Sequence, residues 1–170
     1  VSNIGSVVTL ADVNEPTLER LVDAAVTDAS ANDVTPPVTA GDGWSAGRIA
    51  WLKAFHRARR GGLLGPEHEA TWAVVHRGDV LGSVRLKQSA VPDVLETGIW
   101  LTRQRRGQGV GRLAMIAVLE AAAASGVRGV RADTTVGNTA ALSLLRSLGF
   151  DRMPNEDGVG VEALLLFDRG

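Results

Sequence analysis

Between Trp100 and Arg112 the chain reads WLTRQRRGQGVGR: the end of an apolar strand, three glycines at alternate positions, then the opening of a helical pattern. Few local structures satisfy that order. Glycine permits positive φ and lets a main chain approach a ligand with no Cβ in the way. The first N–H groups of the following helix have no partners within it and lie at the positive end of its dipole. Such a turn is a pocket for phosphate or diphosphate, and Arg103, Arg105, Arg106 and Arg112 add positive charge to it. The spacing G-x-G-x-G differs from the dinucleotide pattern G-x-G-x-x-G, and no G-K-[ST] follows, so neither a Rossmann nor a Walker loop is indicated. A tight turn with solvated arginines is the competing explanation.

Periodicity places this turn within an α/β domain. Val7 to Leu10 is β-prone; Pro16, Leu18, Leu21, Val22 and Ala25 have helical spacing. The stretch from Ala29 to Gly43 reads as a long loop. A helix is predicted over Trp44 to Arg60, then strands over Thr71 to His76 and Val80 to Leu86, joined at Arg77-Gly78-Asp79. Val94 to Thr102 is a further strand and Gly109 to Ala124 a helix. Val127 to Thr134 is a strand, Asn138 to Leu148 a helix closed by Gly149, and Phe150 to Met153 and Val161 to Phe167 are the last strands. The order is β-α-α-β-β-β-α-β-α-β-β. Strand–helix–strand from Val94 to Thr134 requires a right-handed crossover between parallel neighbours, whereas the hairpins pair antiparallel. No repeat or linker divides the 170 residues, so one domain over 1–170 is expected.

Composition narrows the function. A net charge of −1 disfavours a domain built to ride on nucleic acid. No apolar run approaches the roughly 18 residues needed to span a bilayer. The segment Val1 to Leu10 lacks the basic-then-apolar layout of a secretion signal, which makes a soluble cytoplasmic protein the expectation. The chain has no cysteine, hence no thiol nucleophile and no thiolate metal site, and His56, His68 and His76 are too scattered for a metal-ligand motif.

Gln104-Arg105-Arg106-Gly107-Gln108-Gly109 resembles the [QR]-x-x-G-x-[GA] motif of the GNAT acetyltransferases, and Glu96 to Leu101 resembles the strand that precedes it there. Asn138 to Phe150 is similar to a second motif of that superfamily, N-x-x-A-x-x-x-[Y]-x-x-x-G-F. The resemblance implies a mixed, mostly antiparallel sheet of about seven strands with helices on both faces and a splay between the fourth and fifth strands. It implies acetyl-coenzyme A as co-substrate, no metal, and a cofactor site formed by Trp100, Leu101, Thr102, Gln104, Arg106, Gly107, Gln108, Gly109, Val110, Gly111 and Arg112 with Asn138, Ala141 and Leu145. Main chain near Leu101 and Thr102 would pair with the pantetheine arm and supply an N–H to the thioester oxygen. Asn138 is equally an ordinary helix N-cap. At Leu145 many relatives carry a tyrosine that protonates the leaving thiolate, and this chain has no tyrosine. A thiol of pKa about 8.5 leaves as a thiolate at neutral pH for only ~2 kcal/mol, so the acid is dispensable.

An amine attacks a thioester only when neutral, and a free alkyl ammonium has a pKa of about 10.4, so a general base is needed. Glu96, on the strand leading into the turn, and Asp133, at the C-terminal end of the next strand, are the candidates. For each, the alternative is a carboxylate held by a nearby arginine, Arg85 or Arg131. Trp44, Trp51 and Phe55 are candidate walls of the acceptor site, with core packing as their alternative; Asp28, Asp33 and Asp42 could attract a cationic amine, with solvated loop acids as theirs. The expected activity is acetylation of a small-molecule amine, antibiotic- or aminoglycoside-like. Protein N-terminal acetylation and an acyl-coenzyme A-binding regulatory module stand as alternatives. No nucleic-acid or membrane partner is expected, and a homodimer is among the assemblies allowed.

Overall fold

The computed structural model describes residues 7–168; the start of the segment tested for a secretion signal, and both ends of the expected 1–170 domain, lie outside them. Seven strands form one sheet in the order β1-β2-β3-β4-β5-β7-β6: β1 (Val8–Asp12), β2 (Glu69–His76), β3 (Asp79–Gln88), β4 (Val94–Leu101), β5 (Gly129–Thr135), β6 (Asp151–Pro154) and β7 (Gly160–Leu166). Only β4 and β5 pair in parallel, because the helix between them, α4 (Val110–Ala124), carries the chain back along the sheet. The remaining pairs are antiparallel. The β2–β3 turn uses positive φ at Arg77 and Gly78, 51° and 81°, which matches the twist of the flanking strands.

The β4–β5 pairing is short. It runs from Val94↔Gly129 to Glu96↔Arg131 and then stops, although β4 continues to Leu101 and β5 to Thr135. The two strands therefore fork, and among the described residues β4 beyond Glu96 has no strand partner on its β5 side.

Each face of the sheet is covered by helices drawn there by strand alternation. Val74, Val84, Leu86, Leu95, Val130, Ala132 and Ala163 pack against α4 and against α5 (Thr139–Ser147), with Val110, Ala114, Val118, Ala122, Leu145 and Phe150 on the other side of that layer. On the opposite face, Ala73 and Val80 meet α1 (Glu15–Asp28) and α3 (Ala46–Ala58) through Leu18, Leu21, Val22, Ala25 and Leu52. Burying a Leu or Val of this kind is worth about 1.5–3 kcal/mol, so neither layer could be left open to water. The helices begin where side chains satisfy free amides: Asn14 Oδ1 accepts from Thr17 N at 3.0 Å, Ser45 Oγ from Arg48 N at 3.2 Å, and Asn138 Oδ1 from Ala141 N at 3.1 Å.

Two expectations are corrected in detail. The helix predicted from Trp44 starts at Ala46, since Ser45 is its cap. The segment 29–43 is not a plain loop: it contains a single helical turn, α2 (Ala31–Val34), closed by Thr35 Oγ1 donating to Ala31 O at 3.0 Å.

Candidate functional site

The glycine turn sits at the mouth of the fork. Gly107 and Gly109 have φ of 74° and 79°, and Gly109 caps α4 with no side chain over the helix end. Among the described residues, the main-chain amides from Gly107 to Arg112 donate no hydrogen bond to the rest of the chain. A Cβ built on either Gly107 or Gly109 would meet nothing within 4 Å. The turn is thus not filled by its own protein: it offers consecutive free N–H groups at a helix N-terminus, flanked by Arg106 and Arg112. That donor set fits a diphosphate.

From this cradle a cleft of about 650 Å³ runs along the free edge of β4. It brings together Trp100, Leu101, Arg106, Gly107, Gly109, Gly111, Arg112, Asn138 and Ala141 from the sequence candidates, and adds Asp33, Ile99, Ala140 and Leu144. Strand and helix approach closely at Gly111, where a Cβ would lie 3.3 Å from Leu101 Cδ1 and make that side chain give slightly.

The side chains of the other cofactor-site candidates face elsewhere, although the amides of Gln108 and Val110 belong to the cradle. Val110 and Leu145 are buried in the α4–α5 core layer; α5 presents Leu144 to the cleft instead, one position away on the helix. A one-residue step rotates a helical side chain by about 100°, which a motif alignment alone does not resolve. Thr102 is buried and its amide donates to Leu81 O at 2.8 Å. Gln104 N donates to Asp28 Oδ2 at 3.0 Å, and Gln108 Nε2 folds back onto Gln104 O at 3.0 Å. Both glutamines brace the turn from behind.

A second cavity, of about 350 Å³, lies on the α1–α3 face of β3 and β4. Trp51 and Phe55 stack at 5.0 Å in its wall, and Trp100, Val34, Thr71, Ser83 and Arg85 complete much of the lining. Asp33, Ile99 and Trp100 line this cavity and the cleft alike. Trp44 is not in either lining: its indole N–H donates to Ala29 O at 2.9 Å and its ring packs against the α1–α3 core. His56, 2% exposed, holds Thr71 Oγ1 at 2.9 Å from its Nδ1; burial first, then the charge of Arg59, push its pKa down to about 4.

The two candidate bases sit in arginine networks. Arg85 Nη2 lies 3.0 Å from Glu96 Oε1 and its Nη1 3.3 Å from Glu69 Oε1, while Arg59 Nε takes Glu69 Oε2 at 2.6 Å. Arg85 lies across Gly98, where a Cβ would come within 2.9 Å of Nε, so glycine there lets the guanidinium cover the strand. Arg85, not Glu96, faces the cavity. Beyond the fork, Asp133 holds Arg131 Nη2 at 2.9 and 3.1 Å from its two oxygens, with Glu162 Oε2 at 3.5 Å; the Asp133 hydrogen bond raises the Arg131 pKa further. Among the described residues, no His, Asp and Glu cluster could hold a metal ion, and no helix is long and apolar enough to cross a membrane.

Residues 9–151 match the family model described as Acetyltransferase (GNAT) domain. No curated protein matches the chain in sequence. Among solved structures, a protein bearing the name probable acetyltransferase superposes with TM-score 0.73 at 16% identity, over 95% of this chain and 94% of that one. A spermidine N-acetyltransferase chimera from Vibrio cholerae and hSSAT gives TM-score 0.69 at 14% identity, over 95% and 96%. A ribosomal L7/L12 alpha-N-protein acetyltransferase in complex with coenzyme A gives 0.68 at 15%, over 97% of each chain. Identities this low establish a common fold and leave the acceptor open.

Proposed function

The chain belongs to the GNAT acetyltransferase family, and on that premise we propose that it transfers an acetyl group from acetyl-coenzyme A to the amine of a small organic molecule. The observation that carries this reading is the junction of the two cavities at Asp33, Ile99 and Trp100, beside the fork. A donor whose diphosphate rests on the amides after Arg106 would lie along the free edge of β4. An acceptor between Trp51, Phe55 and Trp100 would meet it there. Aromatic walls around about 350 Å³ suit a compact amine better than a folded protein surface.

Acetyl-coenzyme A supplies an activated acyl carbon when bound. The chain supplies position and electrostatics. Gly107 to Arg112 orient the diphosphate, and unpaired main chain on β4 beyond Glu96 offers an N–H to the acyl oxygen, where negative charge grows in the transition state. The attacking nitrogen must first lose a proton. Glu96, behind Arg85 from the acceptor cavity, and Asp133, across the fork, are the groups proposed to receive it, through an intervening water that bypasses the arginines.

The test is thiol release from acetyl-coenzyme A with a panel of polyamines, aminoglycosides, amino acids and short peptides. Turnover concentrated on small amines supports the proposal. Selective turnover of peptide N-termini would transfer it to protein acetylation, and coenzyme A binding with no turnover on any amine would leave only an acyl-coenzyme A-binding module.

A further inference from the structure

Asp33 is placed unlike the other acids of this chain. It lines the diphosphate cleft and the acceptor cavity at once, and it is the one carboxylate among the described residues lining the latter. Its Oδ2 lies 3.3 Å from Nη2 of Arg106, the residue at the entrance of the glycine turn. Both side chains are about half exposed, 50% and 49%, so the pair is held weakly and an anion of higher charge can take the arginine from it.

The turn that carries Asp33 is held firmly. Arg48 is completely buried, and its guanidinium converges on residues around Asp33: Nη2 donates to Asn32 Oδ1 at 2.9 Å and to Gly41 O at 3.0 Å, and Nη1 to Thr35 Oγ1 at 3.2 Å. Arg48 Nε has no partner, and no carboxylate pairs with this guanidinium among the described residues. Burying a cation with no counter-charge costs free energy, which these three hydrogen bonds offset. What these bonds fix is α2, and with it the position of the Asp33 backbone between the two cavities.

We propose that Asp33 is a two-position carboxylate: latched to Arg106 without cofactor, and freed by an arriving diphosphate to hold the acceptor's ammonium group. The idea rests on the acetyl-transfer reading for its second half. Its first half concerns coenzyme A alone. In the latched position the carboxylate neutralises Arg106 and competes with the diphosphate. Once Arg106 turns to the phosphates, Asp33 is an uncompensated anion beside Trp100 at the edge of the acceptor cavity. There it attracts a cationic amine and sets its nitrogen near the donor. Cofactor and acceptor therefore favour each other's binding, by the same factor in both directions. The substrate class implied is an amine that arrives protonated with an apolar or aromatic body, the combination that Trp51 and Phe55 can face.

Calorimetric titration of coenzyme A into the wild type, Asp33→Asn and Arg106→Gln, with the double variant, tests the latch. Asp33→Asn is expected to bind coenzyme A about two- to fivefold more tightly at low salt, the fold-change an exposed ion pair is worth. The gain should vanish in the Arg106→Gln background, because the partner is then absent. Glu120→Gln, an equal charge change on the exposed side of α4, controls for general electrostatics. Equal coenzyme A affinity in wild type and Asp33→Asn, or an equal gain from Glu120→Gln, overturns the latch. At saturating acetyl-coenzyme A, Asp33→Asn should raise the KM of a turned-over amine at least tenfold with a smaller change in kcat; an unchanged KM overturns the acceptor role. A wild type that takes up coenzyme A but acetylates nothing refutes the acetyl-transfer reading and the acceptor half with it, while the titrations still decide the latch.

Discussion

Replacing Gly109 by alanine separates two properties of the glycine turn that usually fail together. At φ 79°, ψ −1° an L-residue sits in the left-handed region, which costs about 1–2 kcal/mol relative to glycine. Beyond its own chain neighbours the new methyl group meets nothing within 4 Å, so no further packing cost is added to that. For a chain of this length, each kcal/mol lowers the melting temperature by about 2–4 °C. The unliganded variant should therefore melt about 2–8 °C lower and stay folded. Binding should suffer in addition, because the Cβ projects into the space beside the free amides. Losing one charge-assisted hydrogen bond of about 1.5–3 kcal/mol weakens coenzyme A roughly 10- to 150-fold. Gly126→Ala is the matched control: φ is 85°, the site is equally open, and it lies past the far end of α4. Thermal melts report the shared cost and calorimetric titration the difference. Coenzyme A binding undiminished in Gly109→Ala, or reduced equally in both variants, would refute the assignment of the amides to a diphosphate.

Other outcomes follow from the same geometry. Glu96→Gln and Asp133→Asn should each leave coenzyme A affinity within about twofold, and the one that lowers kcat at least a hundredfold is the base; pH–rate profiles then lose their acidic limb in that variant only. His56 has its folded pKa, about 4, below the ordinary 6.5, so its contribution is fully present above pH 6.5 and is lost as pH falls toward 4. That amounts to about 3 kcal/mol, and His56→Gln should flatten the stability–pH curve over this interval in denaturant titrations. Leu145→Tyr, which restores the residue common in relatives, should destabilise by about 1–3 kcal/mol through overpacking against Phe150 and α4, with no gain in kcat; a faster enzyme of unchanged stability would contradict the core placement of Leu145.

Much of the architecture was legible because it depends on short-range pattern. The short apolar run within Thr71 to His76, the Arg77-Gly78 turn and the helical period after Gly109 each report local backbone preference. The glycine turn was legible for the same reason: positive φ and unpaired amides at a helix start are properties of a dozen consecutive residues. The arginine alternatives were readable too, since Arg85 and Arg131 lie close in sequence or register to the acids they meet.

Side-chain destinations were another matter. Whether Leu144 or Leu145 of α5 enters the cleft depends on a rotation set by packing against Phe150 and α4. Trp44 and Trp51 carry the same aromatic signal seven residues apart, yet Ser45 caps the helix between them, and only Trp51 reaches the cavity. Asp33 had no motif around it. Its meeting with Arg106, 73 residues later, exists because a buried arginine from α3 draws the segment 29–43 over the edge of the fork. The amino-acid order by itself determined the helices, strands and phosphate-ready turn, since hydrogen bonds and hydrophobic period act between near neighbours. Only tertiary packing decided which charges and rings share a cavity, because burial and long-range ion pairing are settled between elements that the chain brings together late.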